Sequence, residues 1–209
     1  MPDKAVSFYV IRHGQRLKGE DGRNLDELSP HGLKQLEASA ERHLSGILLD
    51  AAYCSDMLRT RHAANHITAH RSDTGPDMER ILAQPHPAFF VREYFEGEGM
   101  KELDRVESVI GKLGTAADWL KFYSPAQRIA NGRLAAFREI AGKLHETNPK
   151  VDRVLNVLVA DHAPFANLGA LNPAYMGPVG LADVVRIDMQ KGKAGWNIVQ
   201  SEHLRCPLA

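Results

Sequence analysis

The run VLNVLVA, from Val154 to Ala160, most narrows what this chain can fold into. Only Asn156 interrupts it with a polar side chain. A strand that shows no alternation between faces has to be covered on both, which predicts a central strand of a parallel sheet. Parallel neighbours need crossover connections, mostly helices, and the chain supplies them. Val6 to Ile11 reads as a second buried strand. Ser29-Pro30 then predicts an N-cap with proline at the first helical position, ahead of Leu33, Leu36, Ala40, Leu44 and Ile47 at helical spacing. Leu48 to Cys54 is predicted as a strand, and Ser55 or Asp56 as the cap of a helix carrying Met57, Leu58, Ala63, Ala64 and Ile67.

Residues 71–100, rich in Pro, Gly and charge, read as a loop with one strand near Met78 to Leu82. Leu103, Val106, Ile110 and Leu113 mark one amphipathic helix; Leu134, Phe137, Ile140 and Leu144 mark another, ending near Asn148-Pro149. Pro164 to Leu171 predicts a short helix, and Asp183 to Met189 and Trp196 to Gln200 predict closing strands. Strands alternating with helices imply an α/β protein, a three-layer α/β/α sandwich around a mainly parallel sheet. Length fits one domain, residues 1–209, with an insert at about 85–150 that covers the ligand edge as a lid.

Ligands of such folds bind at the carboxyl ends of the strands. Arg12-His13-Gly14 follows the first strand, Ser55 to Arg59 the second, and Asp161-His162 the run ending at Ala160. In one parallel sheet, two arginines and two histidines converge on one edge. Guanidinium forks match phosphate oxygens, and helix starts add backbone donors. A neutral imidazole can attack phosphorus, and neighbouring guanidinium groups disfavour its protonated form. Arg12 then holds a phosphoryl group and His13 attacks it.

Composition is consistent with such a local site. Lys plus Arg and Asp plus Glu are both 26, which argues against nucleic acid or an anionic membrane as main partner. No apolar run reaches the roughly 20 residues of a membrane span, and Met1 to Val6 lacks a signal-peptide pattern. Two cysteines, Cys54 and Cys206, make no disulfide framework, so a reducing cytoplasm is the expected location.

Four segments in order resemble one family. They are RHGQ at 12–15, LSPHGLKQ at 28–35, SDMLRTRHAA at 55–64 and VLVADHAPF at 157–165. Together they are similar to the histidine phosphatase superfamily, whose best-known members are the cofactor-dependent phosphoglycerate mutases. The resemblance implies a phosphoglycerate-mutase-like fold, His13 as phosphorylated nucleophile, and Arg12, Arg59 and His162 as phosphate-binding residues. It implies no cofactor and no metal. The substrate would be a small-molecule phosphate ester or a phosphorylated protein. The activity implied is that of a phosphatase; a mutase, or a weakly catalytic phosphate-binding regulatory protein, is the alternative.

Three departures stand out. The late motif reads His162-Ala163-Pro164 where the family has His-Gly. Arg16 follows RHGQ directly, and Asn24 lies farther out than the family's phosphate-contacting asparagine. The family's acid follows a Leu-x-Glu pattern, which here gives Leu82-Ala83-Gln84. The looser match REYFEGEG makes Glu93 the expected proton donor, with Glu96, Glu79 and Asp161 as rivals. His62, His66 and His70 share a helix face but lack the metalloprotease glutamate, and read as a solvated or partly packed face. Cys54 stands at the wrong spacing from Arg59 and Arg61 for a cysteine phosphatase and reads as a buried strand residue. Trp119, Phe122 and Tyr123 read as core or lid packing.

Overall fold

The computed structural model describes residues 5–70, 82–110, 116–162 and 179–208. Its centre is a six-stranded sheet: β1 (Ala5–Arg12), β4 (Ala51–Cys54), β5 (Gln84–Pro85), β6 (Leu155–Asp161), β7 (Val184–Gly192) and β8 (Gly195–Leu204). The order is β5-β4-β6-β1-β7-β8. β6 runs parallel to both β1 and β4, and β4 runs parallel to β5. β7 and β8 close the other side antiparallel. A separate two-stranded sheet pairs β2 (Arg16–Lys18) with β3 (Asn24–Leu28).

The apolar run behaves as its composition requires. Leu155, Val157 and Val159 face one core, which α5 (Ala126–Thr147) covers with Ala136, Phe137, Ile140 and Ala141. Leu158 and Ala160 face another. That side is covered by Leu36 and Ala40 of α1 (Pro30–His43) and by Ala63, Ala64 and Ile67 of α2 (Leu58–His70). The result is the expected α/β/α sandwich with a mainly parallel sheet. Ser29 caps α1 as predicted, its hydroxyl accepting from Gly32 N–H at 3.0 Å.

Residues 87–147 hold two 3-10 turns, Pro87–Phe89 and Arg92–Tyr94, then α3 (Gly97–Ile110), α4 (Ala116–Phe122) and α5. A third small core forms there from Val91, Tyr94, Leu103, Val106, Trp119, Tyr123 and Ile129, reaching Met57 before α2. Trp119 and Tyr123 are buried there, whereas Phe122 is exposed.

The structure corrects several expectations. The second strand begins at Ala51, not Leu48. The Asp50 carboxylate accepts from Arg153 at 2.6 and 2.8 Å and from Asn156 N–H at 2.7 Å, which turns the chain before pairing starts. Asp56 does not cap α2; its carboxylate accepts from Val91 N–H at 2.9 Å and Arg92 N–H at 3.3 Å. The β2–β3 hairpin was not expected. The strand near Met78 to Leu82 and the helix at Pro164 to Leu171 fall mainly or wholly outside the described residues, as does Glu79. No described helix is long and apolar enough to cross a membrane.

Candidate active site

Register brings the three strand ends together. Arg12 pairs with Asp161 across β1 and β6, and Cys54 pairs with Ala160 across β4 and β6. Arg12-His13, Ser55 and His162 therefore leave the sheet on one edge. Two glycines let the following loop close. A Cβ on Gly14 would lie 2.2 Å from the Gly32 carbonyl oxygen, and one on Gly32 would lie 2.2 Å from that of Gln15. Glycine at both positions lets the start of α1 press against the turn after β1.

His13 is buried, with its ring nitrogen Nδ1 2.8 Å from the Gly14 carbonyl oxygen. A carbonyl only accepts, so Nδ1 carries the hydrogen and the neutral ring keeps its lone pair on Nε2. Burial, followed by Arg59, Arg12 and Arg16, drives the His13 pKa well below the ordinary histidine range; the Gly14 hydrogen bond opposes this. His162, also buried, lies with its ring centroid 5.2 Å from that of His13. Its pKa is likewise driven far down, first by burial and then by His13, Arg59, Arg133 and Arg12.

The cations are positioned by single contacts that leave donors over. One Arg12 terminal nitrogen donates to the Val179 carbonyl at 2.7 Å, and one of Arg59 donates to Asp26 at 2.6 Å. The Asp26 carboxylate also accepts from Leu58 N–H at 3.0 Å, so the hairpin carries the acid that holds the start of α2. Among the described residues, Arg12 Nε, Arg59 Nε and His162 Nδ1 are buried with no hydrogen-bond partner. Buried polar groups are nearly always satisfied, so three orphans in one place point to a missing polar ligand. The arrangement can hold a tetrahedral oxyanion and present an unprotonated imidazole nitrogen to it.

Sequence reasoning did not single out Phe95, Asp26 or Arg133. Phe95 lies 5.4 Å from the His162 ring and 5.4 Å from the Arg59 guanidinium. Arg133, buried on α5, donates to both Asp161 oxygens at 2.8 Å. Burial raises the Asp161 carboxyl above the usual carboxylate range, against the downward pull of the Arg133 fork. Two donors on its two oxygens fit the carboxylate form, which leaves Asp161 no proton to donate.

Glu93 is exposed and lines a cavity of about 420 Å³ with Asp56, Arg92, Tyr94, Arg128 and Arg133, a cavity that Arg12, His13, Arg59 and His162 do not line. Glu93 interacts with the Tyr94 hydroxyl, which accepts from Arg128 at 3.2 Å. Glu96 is exposed and 3.9 Å from Arg92. Cys54 is fully buried, and burial raises its thiol pKa. His66 pairs with Glu37 at 3.0 Å, and among the described residues no His, Cys, Asp and Glu side chains group in a way that could hold a metal ion.

Residues 8–83 match the family model of the histidine phosphatase superfamily, branch 1. Three of the four segments that resemble this superfamily, RHGQ, LSPHGLKQ and SDMLRTRHAA, lie within that match. No curated protein sequence matches the chain. Among solved structures, phosphoglycerate mutase from Bacillus anthracis str. Sterne superposes with a TM-score of 0.63 at 19% identity, over 94% of this chain and 92% of that one. The mycobacterial glucosyl-3-phosphoglycerate phosphatase gives 0.57 at 16% identity, over 96% and 98%. A mycobacterial hydrolase gives 0.57 at 17%, over 93% and 97%. At these identities the likeness shows the phosphoglycerate-mutase-like fold alone.

Proposed function

We propose that the protein hydrolyses a phosphate monoester through a phosphohistidine on His13. One observation carries this reading: an imidazole with a free Nε2 lone pair stands among buried guanidinium and imidazole groups that each keep one nitrogen without a partner. The phosphoryl group enters between Arg12, Arg59 and His162, and His13 Nε2 attacks phosphorus in line. The P–Nε2 bond forms as the P–O bond breaks, the leaving oxygen takes a proton from Glu93, and water later cleaves the phosphohistidine. In this reading the 420 Å³ cavity takes the alcohol part of the ester, with Glu93 on its lining, and the helices of residues 97–147 act as the lid. The substrate is a small phosphate ester or a phosphorylated protein.

That Glu93 lines a cavity which the His13 group does not favours one second reading, a phosphate-binding protein with weak catalysis. Turnover of an aryl phosphate across pH 5 to 8 separates the two, because a good leaving group lessens the need for an acid. Turnover falling at least about 1000-fold in His13→Ala supports hydrolysis. Equal turnover in both proteins sinks the role of His13. Phosphate binding without turnover in the parent supports the second reading.

A further inference from the structure

His162 is held by a chain of hydrogen bonds whose directions follow from counting protons. The Met57 carbonyl can only accept, so the Thr60 hydroxyl donates to it at 2.7 Å. Thr60 Oγ1 then has only lone pairs left for Ser55 Oγ, 2.8 Å away, and the single Ser55 proton goes there. Ser55 Oγ in turn accepts from Met57 N–H at 3.2 Å and from His162 Nε2 at 2.8 Å. His162 Nε2 must therefore carry the hydrogen. In the neutral ring Nδ1 is a bare acceptor, and it is the orphaned buried nitrogen beside His13.

A bare lone pair is a poor neighbour for a phosphate monoester dianion, whose terminal oxygens are also only acceptors. Either the ligand or His162 must bring a proton. His162 is the unfavourable carrier: it is enclosed by Arg12 at the end of β1, His13 just after it, Arg59 from α2 and Arg133 from α5. The nearby carboxylate, Asp161, is committed to Arg133, and Asp56 lies beyond it holding Val91 and Arg92.

We propose that the Thr60–Ser55 relay, by fixing the His162 tautomer, makes the pocket take a phosphoryl group that still carries one proton, its P–OH donating to His162 Nδ1. This rests on the phosphoryl-binding reading above and adds to it the protonation state of the ligand. Thr60 and Ser55 are positioning residues, acting through His162.

The test is the affinity of the intact protein for phenylphosphonate, a non-hydrolysable mimic of the ester whose dianion carries no P–OH, measured by calorimetry between pH 8 and 9, above its second pKa. Uptake of one proton with the ligand makes Kd rise about tenfold over that unit. In Thr60→Val the Ser55 hydroxyl loses its acceptor and donates to His162 Nε2 instead. The ring then takes the other tautomer, Nδ1–H donates to the dianion, and Kd becomes nearly independent of pH. Thr60→Ser restores the tenfold slope. Nitrogen NMR of the parent shows the Nε2–H tautomer of His162. A pH-independent Kd in the parent, the Nδ1–H tautomer in the parent, or the parental slope in Thr60→Val each overturns the proposal. Should Thr60→Val fail to fold, the parental slope and tautomer decide it. His13→Ala keeps the slope while losing turnover, so a flat slope sinks this inference alone, and the absence of any phosphonate binding sinks both readings.

Discussion

Arg133 is an arginine on the buried face of α5, in step with Ile129, Ala130, Ala136, Phe137 and Ile140. A guanidinium there needs a buried acid, and Asp161 is that acid. Removing one member strands the other charge, so Asp161→Asn is expected to lower stability by about 3–5 kcal/mol. Urea unfolding measures it, and adding Arg133→Met should recover most of the loss; a single variant as stable as the parent contradicts the pairing. This pair was legible in part: an arginine in an apolar stripe asks for a partner, although helical spacing does not say which. Arg12, His13, Arg59 and His162 were legible because each follows a recognisable strand or helix start. Phe95 was not, because its contacts with Arg59 and His162 cross chain separations that no local pattern records. Arg59→Lys tests the fork geometry at this same scale. Lysine keeps the charge but cannot hold Asp26 and an oxyanion with one planar group, so kcat/KM should fall about 100-fold or more. Steady-state kinetics on an aryl phosphate checks it, and an unchanged kcat/KM removes Arg59 from the site.

Among the elements, the contact between the turn after β1 and the start of α1 sets where His13 sits. Each glycine faces the other segment's backbone, which cannot retreat without moving His13 or Ser29. Gly32→Ala is therefore expected to cost about 1–3 kcal/mol, the range for forced overpacking. It should also lower turnover, because the Gly14 carbonyl that orients His13 moves with the loop. Urea unfolding and aryl phosphate kinetics on the same preparation read both effects; a stable, fully active variant refutes the close approach. Helix starts and buried strands were readable because apolar spacing and caps are local signals. The β2–β3 hairpin escaped for the opposite reason. Its strands pair only with each other and are mostly polar and exposed, so no hydrophobic period marks them. Asp21-Gly22, with Gly22 at φ 76°, was the one available turn signal.

For the molecule as a whole, topology turns sequence-distant segments into one site, and that convergence was legible once a parallel sheet was accepted. The packing of residues 87–147 was not, since short turns and a small separate core leave only a weak periodic signal. The same convergence makes folding sensitive to acid. His13 and His162 are buried neutral, with pKa values driven well below the ordinary value of about 6.5. Below that value the unfolded chain binds protons that the folded chain refuses, so stability falls as pH drops. Each histidine contributes a slope of up to about 1.4 kcal/mol per pH unit, until its folded-state pKa is reached. His86, lowered mainly by partial burial, adds in the same direction. Unfolding free energy should thus be flat above about pH 7.5 and fall steeply between about pH 6 and 5. His13→Asn should remove one proton's share of that slope while the His162 share persists. Urea unfolding at pH 7.5, 6.0 and 5.0 on parent and variant provides the comparison. Equal stability of the parent at all three values would mean that these histidines are not held neutral, and the nucleophile assigned to His13 would lose its physical basis.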